Sequence, residues 1–256
     1  MATYKKRGYK PKTKAEKEVE LEDGSTTAEV FKSLDEGASR TEAWVEKNQK
    51  IIFGVVGVIA VAVLGYILYQ KFVQEPNQVE ASNEIVQANS YYEQALNAPS
   101  TAKDSLFNLA LNGNGGKYGL IDIADKYSGT PTGNVAKYQA GMAYLQTRKY
   151  QEAITYLDQF KSDDVLLGAL AKGAIGDAFM ELDQPDEAYK YYKQAVTMNA
   201  NDVTTPRFLL KAGTTALQLG NASEAYDYFN RITEEYKTAP EAAKAKTYKG
   251  QAEAMQ

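Results

Sequence analysis

The strongest hydropathy feature of the chain is a twenty-residue run without a charge, IIFGVVGVIAVAVLGYILYQ, between Lys50 and Lys71. A helix rising about 1.5 Å per residue covers roughly 30 Å over that run, the hydrocarbon thickness of a bilayer. Soluble helices seldom stay apolar on every side, so residues 51–70 read as one transmembrane helix. Trp44 before the run, and Tyr66 and Tyr69 at its far end, stand where interfacial aromatics belong. A cleaved signal peptide fits poorly, because 50 residues precede the run and no small-x-small site follows Tyr69. Lys32, Arg40, Lys47 and Lys50 flank it upstream against Lys71 downstream. That bias predicts a cytoplasmic N-terminus and a translocated C-terminal domain.

Beyond the run, the pattern repeats. Gly141, Gly176, Gly213 and Gly250 recur at intervals of 35, 37 and 37 residues. Twelve residues after each of the first three glycines stands an alanine: Ala153, Ala188 and Ala225. Four residues further on comes a bulky side chain, Leu157, Tyr192 or Phe229. The alanine is reached each time through a polar turn ending in Glu-Ala, and residues 127–141 realign with 236–250.

This period resembles the tetratricopeptide repeat, a helix–turn–helix of about 34 residues. With the apolar run as a single N-terminal transmembrane helix, the resemblance implies an all-α chain in which that helix is followed by an α-solenoid with a capping helix. Glycine on the first helix and alanine on the second would let two backbones cross closely, with the bulky residue filling the gap to the next repeat. Lys137, Lys172 and Lys246 stand where the family usually has a large apolar residue, so their stems are expected along the seam. In the fourth unit the packing sites hold Lys249 and Glu253, as suits a capping helix with one wet face.

Four segments follow: a largely disordered cytoplasmic tail (1–50), the transmembrane helix (51–70), membrane-proximal helices with a degenerate half-repeat (71–131), and the repeats (132–256). In the tail, 27–36 reads as a short amphipathic helix ending at Gly37, and Ser39 with Glu42 as a capping box opening a second. A helix is predicted over 77–97, with Ala81, Ile85, Ala88, Tyr92 and Leu96 on one stripe, continuing from the anchor or lying near it. Shorter helices are expected over 101–111 and 117–127.

Averages hide this segregation. The chain of 256 residues is 44% hydrophobic and 24% charged, with a net charge of −4. Residues 1–17 hold seven Lys/Arg against Glu16, whereas 18–46 hold nine acids against Lys32 and Arg40. The basic stretch reads either as a contact for anionic lipid or ribosomal RNA or as a solvated tail. The whole is not basic enough for a DNA-binding protein. With no histidine and no cysteine, disulfides, thiol nucleophiles, Ser-His-Asp chemistry and imidazole or thiolate zinc sites are excluded. The loop NGNGGKYG (112–119) lacks the spacing of a phosphate loop and the acids of a calcium loop. Acid pairs such as Asp163-Asp164, Asp186-Glu187 and Glu234-Glu235 fall in turns or at helix ends. No catalytic residue, metal ligand or cofactor is assigned, and no enzyme activity is expected.

Function is therefore sought on surfaces. In stacked hairpins the first helices line the concave side. Positions six and three before each glycine, and one and four after, share an arc of about 80°. They are Val135, Tyr138, Met142 and Leu145, then Leu170, Gly173, Asp177 and Met180, then Arg207, Leu210, Thr214 and Leu217. A Met- and Leu-rich groove would adapt to varied apolar segments, whereas helix 117–127 or the cap could instead fill it. It lacks the lysines and asparagines with which co-chaperone repeats grip a C-terminal carboxylate. On the anchor, Gly54, Gly57, Val61 and Gly65 share a side on which another transmembrane helix could pack.

The architecture resembles the ancillary SecYEG translocon subunits (YfgM-like proteins) of bacterial inner membranes. The residue-level likeness lies in Trp44–Gly57, where an aromatic and Asn48-Gln49-Lys50 lead into a glycine-rich span, and in the Tyr-x-x-Ala helix at 92–95. That resemblance implies a chaperone-like subunit beside the SecYEG-type translocon, often with a membrane-anchored prolyl isomerase, meeting nascent or secreted polypeptides. A scaffold for another cell-envelope assembly complex is the alternative. A carboxylate-based hydrolase and an import receptor with cytosolic repeats are more distant readings.

Overall fold

The computed structural model describes the backbone of residues 26–198 and 200–256, with side chains from Trp44 onward. The basic stretch 1–17 lies outside the described residues, as does the start of the acidic stretch. The described residues are helical and contain no strand. The chain divides into two compact units, with the boundary between Leu68 and Tyr69.

The first unit contains one long helix, α1 (Thr26–Tyr69). The two short helices expected before the anchor are one: the backbone passes through Gly37 and Ser39 without a break. A single glycine in a helix interior costs about 1 kcal/mol relative to alanine, which weakens a helix without ending it. Within α1 the apolar run is open on nearly every side, with Val58 72% and Val61 71% exposed. It is the one helix among the described residues long and apolar enough to cross a membrane.

Helical backbone continues past Tyr69 and through Pro76, ahead of the start predicted at residue 77. Residues Gln70–Gln74 form a π turn, in which the Glu75 N–H donates to the Gln70 carbonyl five residues back. Pro76 has no N–H to donate, and its ring would crowd the carbonyl of Phe72 in a regular α-helix. Widening the turn relieves that conflict. The chain then runs on as α2 (Glu75–Asn97), which buries Ala81, Ile85, Ala88 and Ala95. Leu96, assigned to that stripe from the sequence, is exposed. The 3.6-residue period brings Ala95 inward instead.

Helices α3 (Ser100–Asn112) and α4 (Leu120–Lys126) follow α2. Between them Gly113, Gly115 and Gly116 all adopt positive φ, so the glycine-rich loop is a sharp link between helices. Three hairpins come next: α5 (Pro131–Gln146) with α6 (Tyr150–Gln159), α7 (Leu167–Glu181) with α8 (Pro185–Thr197), and α9 (Thr204–Gln218) with α10 (Ala222–Glu235). Helix α11 (Ala242–Ala254) closes the array against α10 and α9. Helix α5 starts where Thr130 caps it, its hydroxyl accepting from the Gly133 N–H at 3.0 Å, with Pro131 at the first helical position.

Residues 71–131 and 132–256 pack as parts of the second unit. Gln78 of α2 donates to the Thr132 hydroxyl of α5 at 2.8 Å. Lys126 of α4 reaches Glu80 of α2 at 3.1 Å and lies over the Tyr118 ring, 4.7 Å from its centre.

Each repeat glycine works as a seat. A Cβ on Gly141 would stand 2.5 Å from Leu157 Cγ. One on Gly176 would meet Tyr192 Cε1, and one on Gly213 would meet Phe229 Cε1, each at 2.5 Å. The bulky residue thus covers its own repeat's glycine, rather than only filling the gap to the next repeat. Ala153, Ala188 and Ala225 are fully buried beside these contacts. Gly250 differs: it is exposed, and a Cβ there would meet nothing within 4 Å.

The hairpin turns recur as faithfully. Arg148, Asp183 and Gly220 each lie seven residues after their glycine, and each has φ between 56° and 81°. In every turn the next residue's N–H reaches back five residues: Lys149 to Tyr144, Gln184 to Phe179 and Asn221 to Ala216. These are Schellman closures, which satisfy the last carbonyls of the first helix while reversing the chain.

Candidate interaction face

Each first helix of the array packs against the first helix of the next repeat as well as against its own second helix. The first helices therefore form a continuous layer, and the residues selected from the sequence lie along it. Tyr138, Met142 and Leu145 are half-buried and pack on a cluster formed by Leu157, Phe160, Ile175 and neighbours. Leu170, Met180, Leu210 and Leu217 lie half-buried against the following cluster, around Phe208 and Phe229. Thr214 is half-buried with its hydroxyl turned back to the Leu210 carbonyl at 3.0 Å. Val135 and Arg207 are exposed. The Arg207 guanidinium acts on Tyr138 from the third repeat, partly offsetting the upward push that burial gives that phenol.

Gly173 does not belong to an open groove. Phe208 of the next repeat sits where its Cβ would be, so this glycine is a seat between repeats. On the anchor, Gly54, Gly57 and Gly65 meet nothing within 4 Å, and Val61 is exposed.

One recess of about 350 Å³ opens along this layer, lined by Leu145, Tyr150, Asp177, Met180, Glu181, Tyr192 and Lys211. Leu145, Asp177 and Met180 were expected there, whereas Tyr150, Glu181, Tyr192 and Lys211 were not. No residue of α4 or α11 contributes, so neither of the internal helices considered as fillers occupies it. The recess is also more polar than the sequence implies. Asp177 accepts from the Tyr192 hydroxyl at 2.7 Å and pairs with the Lys211 ammonium. Glu181 accepts from the Tyr150 hydroxyl at 3.0 Å. Burial pushes the Tyr192 phenol upward, and the Asp177 and Glu181 carboxylates push it in the same direction.

The lysines expected along the seams divide. Lys172 pairs with Asp158 at 3.0 Å above the Tyr191 ring, and Lys137 reaches the Ser128 carbonyl at 3.4 Å. Lys246 is exposed, and Lys249 donates instead to Asn230 at 2.7 Å. Among the acid pairs, Asp164 accepts from the Leu166 and Leu167 N–H groups at 2.8 Å, which holds its carboxyl below the usual range. That is the geometry of a helix-start turn, not of a general acid. Among the described residues, no group of three or more acidic side chains is placed to hold a metal ion.

Comparison with known proteins bears on the same residues. The family model described as Tetratricopeptide repeat matches residues 138–203 and 210–256. No curated protein matches the chain. Two crystal structures of nearly identical TPR-like repeats from a candidate kinesin light chain of Podosopora anserina are similar, each at 15% identity. One, a single-substitution variant, has a TM-score of 0.49 and the other 0.48, each covering 65% of this chain and 85% of theirs. The family match falls on hairpins that repeat in register, so residues 138–203 and 210–256 are similar to tetratricopeptide repeats within an all-α, solenoid-like second unit, in a chain with one candidate membrane anchor.

Proposed function

We propose that this protein is a single-pass accessory subunit of a Sec-type translocon in a bacterial inner membrane, with its repeats on the periplasmic side. Its anchor would pack against the channel through Gly54, Gly57, Val61 and Gly65, and its repeat layer would receive nascent or secreted polypeptides. The observation that carries the interaction role is the row of half-buried Tyr138, Met142, Leu170, Met180 and Leu210 along one continuous helix layer. Half-buried side chains of this kind leave part of their apolar surface open for contact. The lysine and arginine bias around the apolar run supports the orientation. The translocon assignment, with a membrane-anchored prolyl isomerase as a further partner, rests on the resemblance of the anchor region.

Photocrosslinking from Val61 and Met142 in native membranes tests both halves. Adducts with channel subunits from Val61 and with emerging chains from Met142 are expected. Recovery of another envelope complex, without channel subunits, would replace the translocon with a different assembly. With the crosslinker placed at Leu145 instead, Met142→Asp with Met180→Asp should abolish the groove adducts while leaving the helical circular-dichroism signal intact.

A further inference from the structure

The recess beside Met180 is built for a charge that the rest of the row does not explain. Two carboxylates, Asp177 and Glu181, stand one turn apart on α7 and face one ammonium, Lys211 from α9. Arg148, at the hairpin turn before α6, adds a positive charge that acts on Tyr150. Leu145 and Met180 add apolar lining, and Tyr150 and Tyr192 add aromatic lining. The Lys211 ammonium shows what this arrangement accepts: it pairs with Asp177 while lying 5.6 Å from the centre of the Tyr192 ring. An ammonium on a carboxylate over an aromatic face combines ion pairing with cation–π attraction. Lys211 reaches that place on a flexible four-carbon stem and is not locked there by burial, its side chain being 30% exposed.

We infer that this recess takes a lysine or arginine side chain of a polypeptide lying along the repeat layer, received by Glu181 and Asp177 between Tyr150 and Tyr192. The inference rests on the reading of that layer as the partner-binding face. In the free protein Lys211 stands in for the ligand's cation and competes with it. The aliphatic stem of the incoming side chain covers Leu145 and Met180 while its head meets the carboxylates. A segment that alternates apolar and basic residues then engages both the row and the recess.

The test uses the full chain in detergent micelles and three fluorescein-labelled twelve-residue peptides of Gly, Ser and Leu. They differ only at a central position occupied by arginine, norleucine or glutamate, and binding is read by fluorescence anisotropy. The arginine peptide should bind about tenfold more tightly than the norleucine peptide, and the glutamate peptide most weakly. Asp177→Asn with Glu181→Gln should erase the arginine preference, bringing the arginine peptide to the level of the norleucine peptide. Lys211→Met should strengthen arginine binding several-fold, because the internal competitor is gone. Equal binding of all three peptides, or a preference for glutamate, overturns the recess assignment and leaves the apolar face intact. Absence of binding by all three overturns both. Helical circular dichroism of each variant, matched to the parent, confirms that the readout comes from a folded protein.

Discussion

Gly213 and Gly250 occupy the same register of the repeat and have opposite surroundings. Over Gly213 lies the Phe229 ring, so close that a Cβ would stand 2.5 Å from it; over Gly250 there is nothing within 4 Å. The helices themselves do not need glycine, which lowers stability by about 0.5–1 kcal/mol relative to alanine in a helix interior. What needs it is the side chain that leans across from the second helix. Among the described residues, the fourth unit has no second helix, and its glycine keeps the period without the contact.

Removing the ring should have the largest effect. Phe229 is fully buried, so Phe229→Ala should cost about 3–5 kcal/mol, read from denaturant unfolding of the full chain in detergent. Gly213→Ala comes next, at about 1–3 kcal/mol, because the added methyl must displace the ring. Combining the two breaks the contrast between the two glycines. With the ring absent, alanine at 213 should regain its helix preference, so the double variant should be no less stable than Phe229→Ala alone. Additive losses would mean that the seat is not what the glycine serves. Gly250→Ala should raise stability by about 0.5–1 kcal/mol, since only the backbone term remains.

Seams between helices also carry tyrosines, and their titration sharpens the contrast between seated and open positions. Burial pushes the Tyr92 phenol up to about 12, with Tyr138 adding to the shift. Burial does the same for Tyr156, helped by Asp125, Tyr144 and Asp122. An unfolded tyrosine titrates near pH 10. Both folded values are raised, so the stability these neutral phenols allow is complete below about pH 10 and is lost as pH rises toward 12. Melting temperature should therefore fall through that window, and Tyr156→Phe should make the fall shallower. An unchanged slope in the Phe variant would remove Tyr156 from the account.

How much of this was legible depends on the reach of each interaction. The 35- and 37-residue intervals announced the hairpins because glycine, alanine and a bulky residue at fixed spacing meet within one repeat. The exposed run of α1 was legible for a related reason: a helix apolar on all sides has a composition that no local turn interrupts. The helix through Gln70–Gln74 was harder to read, since proline signals a break but not how a π turn absorbs it. Leu96 was misplaced by one residue of drift in the helical phase. The polar half of the recess was missed because Lys211 belongs to the next repeat, two positions before its glycine and off the arc that selects Asp177. Its four-carbon stem makes a contact that periodicity does not encode. Gly173 gave the converse lesson, lying on the chosen arc yet covered by Phe208, a neighbour from the following repeat.

The turns carry the smallest predicted effect, at Arg148, and they show that empty space alone does not decide what a glycine does. Gly220, like Gly250, has nothing within 4 Å of its would-be Cβ, but its φ is 81°. Gly220→Ala should therefore lower stability by about 1 kcal/mol, where Gly250→Ala raises it, because a left-handed backbone disfavours any Cβ. Arg148 and Asp183 hold the same place at φ 60° and 56° with side chains attached. Of the two, aspartate tolerates this region better, so the larger gain belongs to Arg148→Gly. That gain should be only a few tenths of a kcal/mol, since the relief of strain is partly offset by the extra freedom glycine gives the unfolded chain. A loss on Arg148→Gly would mean that the arginine side chain, and not the Schellman closure beneath it, holds the first hairpin shut.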